Sequence, residues 1–268
     1  MPGLVPLAHH GPVNLPIHPI LRALRGLYDI GERNTFERFW AYKALMVDGP
    51  ELLPLGDFSP MGRRQPEYLD ALLARDAEVL ATTYAAEVEA ELSEIQADFQ
   101  LMLVVVDQPN NGWTQRWLTD AAWRFGNEKV TGQEPHRRWV TIQLWTHVPP
   151  TPEYLRSQLR GAVMRAVWQM KRGLPVTLAD HLAQEGAALK FAGGVFEGEA
   201  LTLAADELDY TRKVLEPLLT SDHWPTIFAA MYGDEAAREV GFPPLGLGAL
   251  AGLALAAVEE AGPFNQLR

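Results

Sequence analysis

Hydrophobic and polar positions alternate along this chain in two rhythms, one helical and one extended. From Asn34, a plausible helix cap, the positions Phe36, Phe39, Trp40, Lys43, Met46 and Val47 keep the period of an amphipathic helix, which stops at DGPELLP. A second helix is expected to open at Pro66 and run to about Gln96, the longest of the chain, with Leu69, Leu72, Leu73, Ala77, Leu80 and Tyr84 on its apolar stripe. Its later carboxylates Glu87, Glu89, Glu91 and Glu94 read as a solvated face. Extended signals are fewer. LMLVVV at 101–106 is a continuous apolar run of the length of a buried strand, and RWVTIQLW at 138–145 alternates, with Val140, Ile142 and Leu144 on its more apolar face.

After Pro150 the chain is helical by period. Leu159, Ala162, Val163, Ala166, Val167 and Met170 form one stripe, GLPVT turns the chain, and Thr177 caps a second helix that stops at Gly193-Gly194. The run 242–258 is too short and too proline-led for a membrane span and reads as a buried helix, its glycines permitting close packing. Helices, a small sheet and more helices make an α+β fold, mainly α. The first 19 residues carry five prolines and no apolar period, so residues 1–30 are expected to be a proline-rich arm lying on the body, followed by a helical region at 31–99.

Composition narrows the function classes. At 268 residues and 47% hydrophobic the chain can bury a full core. The net charge of −11, without basic runs, argues against nucleic acid and anionic membranes as partners. Cysteine is absent, so disulfides, thiolate nucleophiles and thiolate metal sites are excluded. No signal-peptide pattern is visible at the N-terminus, which makes the cytoplasm the expected compartment. His9, His10 and His18 lie on the arm, which lacks the supporting contacts that orient metal ligands. Asp234 is expected to cap a short helix over DEAARE, and Trp123, Trp139, Trp145 and Trp168 to be core aromatics.

In LADHLAQEGAALKFAGG, the residues Leu178, Leu182, Glu185, Gly186, Ala187, Phe191 and Ala192, together with the closing MYGDEAAREVGFPPLGLGALAGLALAAVEEA, carry a likeness. Over roughly residues 100–268 the chain resembles bacterial zinc-dependent proteases of the gluzincin kind, and the resemblance implies zincin-like helices packed on a small β-sheet. In such proteases two His at i and i+4 hold zinc, the Glu between them is the general base, and a downstream Glu is the third ligand. Only Glu185, at the third-ligand position, keeps its type. The paired-His positions fall on Val163 to Val167 or on Arg165 to Gln169, depending on register, and neither set binds zinc. The resemblance thus implies the fold and argues against the activity, with no metal and no cofactor.

A carboxylate left in that seat needs a counter-charge, and Arg165 is the cation of the first helix nearest the ligand positions; the alternative is two exposed, unrelated charges. His181 stands one turn before Glu185 and reads as a half-buried helix residue rather than a ligand. A further candidate binding set lies where the first strand ends, with Asp107 as a carboxylate, Trp113 as a stacking face, Thr114 as a hydroxyl and Arg116 as an anion-binding fork; the alternative is a loop packing Trp113 and Trp117 on the sheet. The expected function is that of a non-catalytic zincin-like protein, a binding or regulatory module for a small molecule or peptide. The runner-up is a metal-independent enzyme, possibly a hydrolase, using Asp107, Arg116, Arg165 and Glu185 around one cleft.

Overall fold

A computed structural model describes residues 13–30, 35–48, 51–55, 63–107, 115–126 and 139–259. His9, His10, Trp113 and Thr114, for which expectations were given above, lie outside the described residues. The chain is α+β and mainly helical. In order it forms β1 (Ile17–His18), α1 (Leu21–Gly26), α2 (Thr35–Leu45), β2 (Val47–Asp48), β3 (Glu51–Leu52), α3 (Gln65–Leu73), α4 (Ala77–Glu91), β4 (Gln100–Val106) and α5 (Arg116–Phe125). There follow β5 (Trp139–Trp145), α6 (Pro152–Arg172), α7 (Leu178–Ala192), β6 (Val195–Phe196), β7 (Glu199–Ala200), α8 (Ala205–Leu215), α9 (Trp224–Tyr232), α10 (Asp234–Glu239) and α11 (Ala251–Val258).

The main sheet is parallel, in the order β1-β4-β5, with Ile17 and Val140 flanking Leu101. Leu101, Met102, Leu103, Val104 and Val105 are all buried, as expected of a parallel strand covered on both faces. Helix α3 lies on β4 and α6 on β5, while α6 packs along α7. Around the sheet one apolar core runs from Val13 to Ala188; a second, built from α5 and α7 to α11, spans Ala121 to Leu255. Helix α7 feeds both, with Ala187 and Ala188 in the first and Leu178 and Leu189 in the second.

Thr177 caps α7 through a reciprocal bond with Asp180, and Gly193 ends it in the left-handed region. The closing glycines do serve close packing: a Cβ on Gly252 would stand 2.3 Å from the Ala230 carbonyl oxygen, and one on Gly186 2.8 Å from that of Ala256. Helix α11 is thereby held against α9 on one side and α7 on the other. No helix among the described residues is long and apolar enough to cross a membrane.

Several expectations are corrected. The helix from Pro66 is two helices, broken where Asp76 takes a left-handed conformation (φ 49°), and α6 is longer than either. After the break Ala81, Ala85 and Val88 face the core. The acidic face of α4 is largely bonded: Glu89 accepts from the Leu15 amide (2.6 Å), Glu78 from Ile20 and Leu21, and Glu87 and Glu91 pair with Arg156 and Arg160 on α6. Glu89 and Glu78 satisfy amides of the N-terminal segment, whose Ile17–His18 pairs with β4 as an edge strand of the sheet.

In α2 the period is right and the phase is not. Tyr42 and Met46 are buried, whereas Phe36 and Trp40 are 71% and 57% exposed. On α6 the stripe runs through Leu155, Leu159, Val163 and Val167, and Met170 drops out to solvent. Asp234 does not cap α10; its carboxylate accepts from the amides of Leu245, Gly246 and Leu247 and so fastens the loop before α11. The buried helix of 242–258 is confined to Ala251–Val258. A hairpin, β6–β7, interrupts the helices after Pro150. Trp145 and Trp168 are core aromatics, while Trp123 and Trp139 are half-buried.

Candidate functional site

Three helices bring their charged residues to one buried point. On α6, Arg165 and Gln169 stand four residues apart and therefore on one face. On α7, Gln184 and Glu185 meet them. Arg165 grips Glu185 with both prongs, Nε to Oε1 at 2.7 Å and Nη2 to Oε2 at 2.9 Å. Arg165 and Glu185 are thus paired, not exposed and unrelated; Arg165 is half-buried and the Glu185 side chain has no exposed area.

The remaining charged members come from α5. Arg124 donates to Glu185 Oε2 at 3.0 Å and to Asp120 Oδ2 at 2.6 Å, and the Tyr232 hydroxyl donates to the same Asp120 oxygen at 2.7 Å. Gln184 donates to the Arg124 carbonyl (2.8 Å) and accepts from Gln169 (2.9 Å). Phe196 lies under the Arg124 guanidinium, 4.7 Å from the ring centre. Two carboxylates and two guanidiniums sum to zero charge, and each carboxylate has at least two donors, which is the condition for burying ions without a prohibitive desolvation cost.

Burial alone would push the Glu185 pKa up; the positive charges of Arg165 and Arg124 outweigh it and hold the group down at about 2. Burial likewise raises the Tyr232 hydroxyl well above its ordinary range. His181 stands beside this network, its Nδ1 2.8 Å from the Thr177 carbonyl oxygen and its ring edge-on to Phe125. Burial lowers its pKa, so it is favoured as the neutral imidazole. Glu185 is unsuited to act as a general base, being strongly acidic and enclosed by two cations.

A pH dependence follows. The unfolded chain takes a proton on Glu185 near 4.5, whereas the folded protein resists until about 2, so the network's contribution is complete above 4.5 and is lost as pH falls through that interval. The depressed His181 acts with the same sign from its ordinary 6.5 downward. Urea unfolding across a pH series should show stability declining below 6.5 and a further loss, on the order of 3 kcal/mol from Glu185, between 4.5 and 2. Equal stability at pH 5 and pH 3 would contradict the assignment.

The second sequence-derived set falls in a different place. Asp107, at the C-terminal end of β4, accepts from the Thr146 hydroxyl (2.6 Å) and the Arg64 amide (3.2 Å). Arg116 opens α5, stacks on Trp117 at 4.2 Å and pairs with Glu197 on the β6–β7 turn, which His147 Nε2 also contacts at 3.0 Å. The stretch expected to be a loop is therefore a helix from Arg116. Its first turn serves this cluster, and its later turns carry Asp120 and Arg124 to Glu185. The structure thus places Arg165 with Glu185 and leaves Asp107 and Arg116 with other partners.

Sequence reasoning missed Asp120, Arg124, His147 and Glu197. Asp120 and Arg124 had a detectable signal, an i, i+4 charge pair between apolar Trp117, Ala121 and Phe125; Glu197 had none. Comparison with family models, with curated proteins and with solved structures returned no match.

Proposed function

We propose that this chain is a non-catalytic protein of the zincin-like kind, a metalloprotease-type helix pair whose metal seat has become an ionic lock, serving as a binding or regulatory module. The observation that carries the proposal is the two-pronged Arg165–Glu185 pair with Arg124 closing the other side. Arg165 and Gln169 occupy i and i+4 on the face of α6 that meets α7, the spacing at which the resemblance puts the two zinc-binding His. The other register is disfavoured, because Val163 and Val167 are fully buried in the apolar core.

The residues present do not fit zinc. Guanidinium nitrogens have no lone pair to give, and the Glu185 oxygens already accept from two cations that would repel a third. The lock instead ties α5, α6 and α7 into one rigid unit, on which the C-terminal edge of the sheet presents its polar side chains. The ligand class belonging to this module is a small molecule or peptide.

The test is metal content and metal response. Protein purified without chelators should hold zinc far below one equivalent per chain, and neither added zinc nor EDTA should move its melting temperature. One equivalent of zinc, with a fall in melting temperature on chelation, would overturn the proposal.

A further inference from the structure

The turn of the β6–β7 hairpin is built unusually. Its two central residues, Glu197 (φ 52°) and Gly198 (φ 86°), both lie in the left-handed region, the pattern of a tight hairpin turn in which the first position favours Asn, Asp or Gly. A glutamate there is disfavoured by its own Cβ, and strain of this sort is retained where the side chain has a task. The Glu197 carboxylate is carried inward, 13% exposed, to where β5 and α5 meet. Arg116 holds one of its oxygens and His147 the other.

Among the described residues, two buried nitrogens in this cluster have no hydrogen-bond partner: Arg116 Nε and His147 Nδ1. Buried polar atoms are nearly always bonded, so a pair of orphans around one carboxylate marks unspent binding capacity. The Arg116 guanidinium also lies over the Trp117 ring at 4.2 Å and within 5.4 Å of the Trp145 ring centre, an aromatic setting that keeps its plane fixed for two-pronged contact with a carboxylate. The site sits at the C-terminal ends of parallel strands, where open sheets with helical crossovers bind ligands.

We infer that Arg116 and His147 form a carboxylate-binding site in which Glu197 is an internal, exchangeable occupant, and that the ligand is an organic carboxylate, either a free acid or the C-terminus of a peptide. An incoming carboxylate takes over the Arg116 contact, Glu197 swings out, and the turn is relieved of its conformational burden. No covalent step is involved. The inference does not depend on the metalloprotease resemblance.

Chemical rescue tests it. In Glu197→Gly the turn is favoured and the internal carboxylate is gone. Acetate should then raise the melting temperature of the full chain saturably, beyond chloride at equal ionic strength, and this gain should vanish in Arg116→Met/Glu197→Gly. Glu197→Asn, which tolerates the same turn, carries the identical test if the glycine variant folds poorly. Acetyl-alanyl-alanine as free acid, set against its amide, separates the two sources: a free acid binding more tightly than acetate points to a peptide terminus, and equal binding to small organic acids. In the unmodified protein the same free acid should shift the His147 ring resonances with an apparent affinity about tenfold or more weaker, because it competes with a tethered occupant. Rescue no better than chloride, rescue undiminished without Arg116, or equal affinity in the unmodified protein and the glycine variant would each overturn it.

Discussion

Replacing Glu185 with glutamine should destabilise the protein by about 3–5 kcal/mol, the range for removing one partner of a buried ion pair. The loss leaves Arg124 and Arg165 facing one vacated position with only Asp120 to offset them, so the cluster carries one uncompensated positive charge. Arg165→Met leaves one uncompensated negative charge but should cost less, because Glu185 keeps Arg124 at 3.0 Å and the lost partner is the more exposed of the two. The double variant leaves Asp120 and Arg124, a neutral pair held by the 2.6 Å contact and by Tyr232. Its loss should therefore fall short of the sum of the single losses by roughly 1–3 kcal/mol, the coupling of groups that share one network. Urea unfolding of the four proteins measures this directly. Additive losses would mean that the two side chains are neighbours without being partners.

Gly252→Ala is expected to be nearly as damaging, at about 3 kcal/mol or more, because the added methyl meets backbone and not a movable side chain. Its Cβ would stand 2.3 Å from the Ala230 oxygen and 3.2 Å from the Met231 Cα, so α11 and α9 would have to separate. That movement reaches the ionic site. On its other side α11 rests on Gly186, the residue after Glu185, with its Ala256 carbonyl 2.8 Å from where a Cβ would be. Gly186→Ala should therefore cost about 1–3 kcal/mol and raise the Glu185 pKa as the helix shifts from its partners. Thermal unfolding, with titration of the Glu185 carboxyl by NMR, checks both. A Gly252→Ala protein as stable as the parent would show that α11 does not pack as described.

The elements legible in the sequence are those whose signal is local. LMLVVV is a buried strand because any central parallel strand must be apolar on both faces, and Thr177 with Gly193 brackets α7 by backbone chemistry alone. What was illegible depends on tertiary partners. Nothing local in LARDAEVL announces the break at Asp76, since neither Gly nor Pro marks it. The prolines around Val13, Leu15 and Ile17 hide a strand that exists because β4 offers it an edge and Glu89 an acceptor.

The candidate site shows the same division. A carboxylate on a buried helix face requires a cation, and the spacing from the preceding helix supplied Arg165. Arg124 as the second cation could not be read while Arg116 was expected on a loop at the strand end, because only the helix from Arg116 to Phe125 carries Arg124 to Glu185. Glu197 was out of reach because its role arises from a turn conformation that its own residue type disfavours. Phe36 and Trp40 are a failure of phase: the helical period of α2 is real, but the core lies beside Tyr42.

Zinc binding by a restored ligand set separates a converted metalloprotease seat from an ordinary buried ion pair. Arg165→His/Gln169→His places two imidazoles at i and i+4 toward Glu185, whereas Val163→His/Val167→His places them in the alternative register. Competition against a chromophoric chelator should show one zinc per chain in the first variant, bound more tightly than in the second, with a rise in melting temperature on metal addition. Zinc affinity no greater in Arg165→His/Gln169→His than in the valine-register variant would contradict the proposal that α6 and α7 keep the geometry of a metal site.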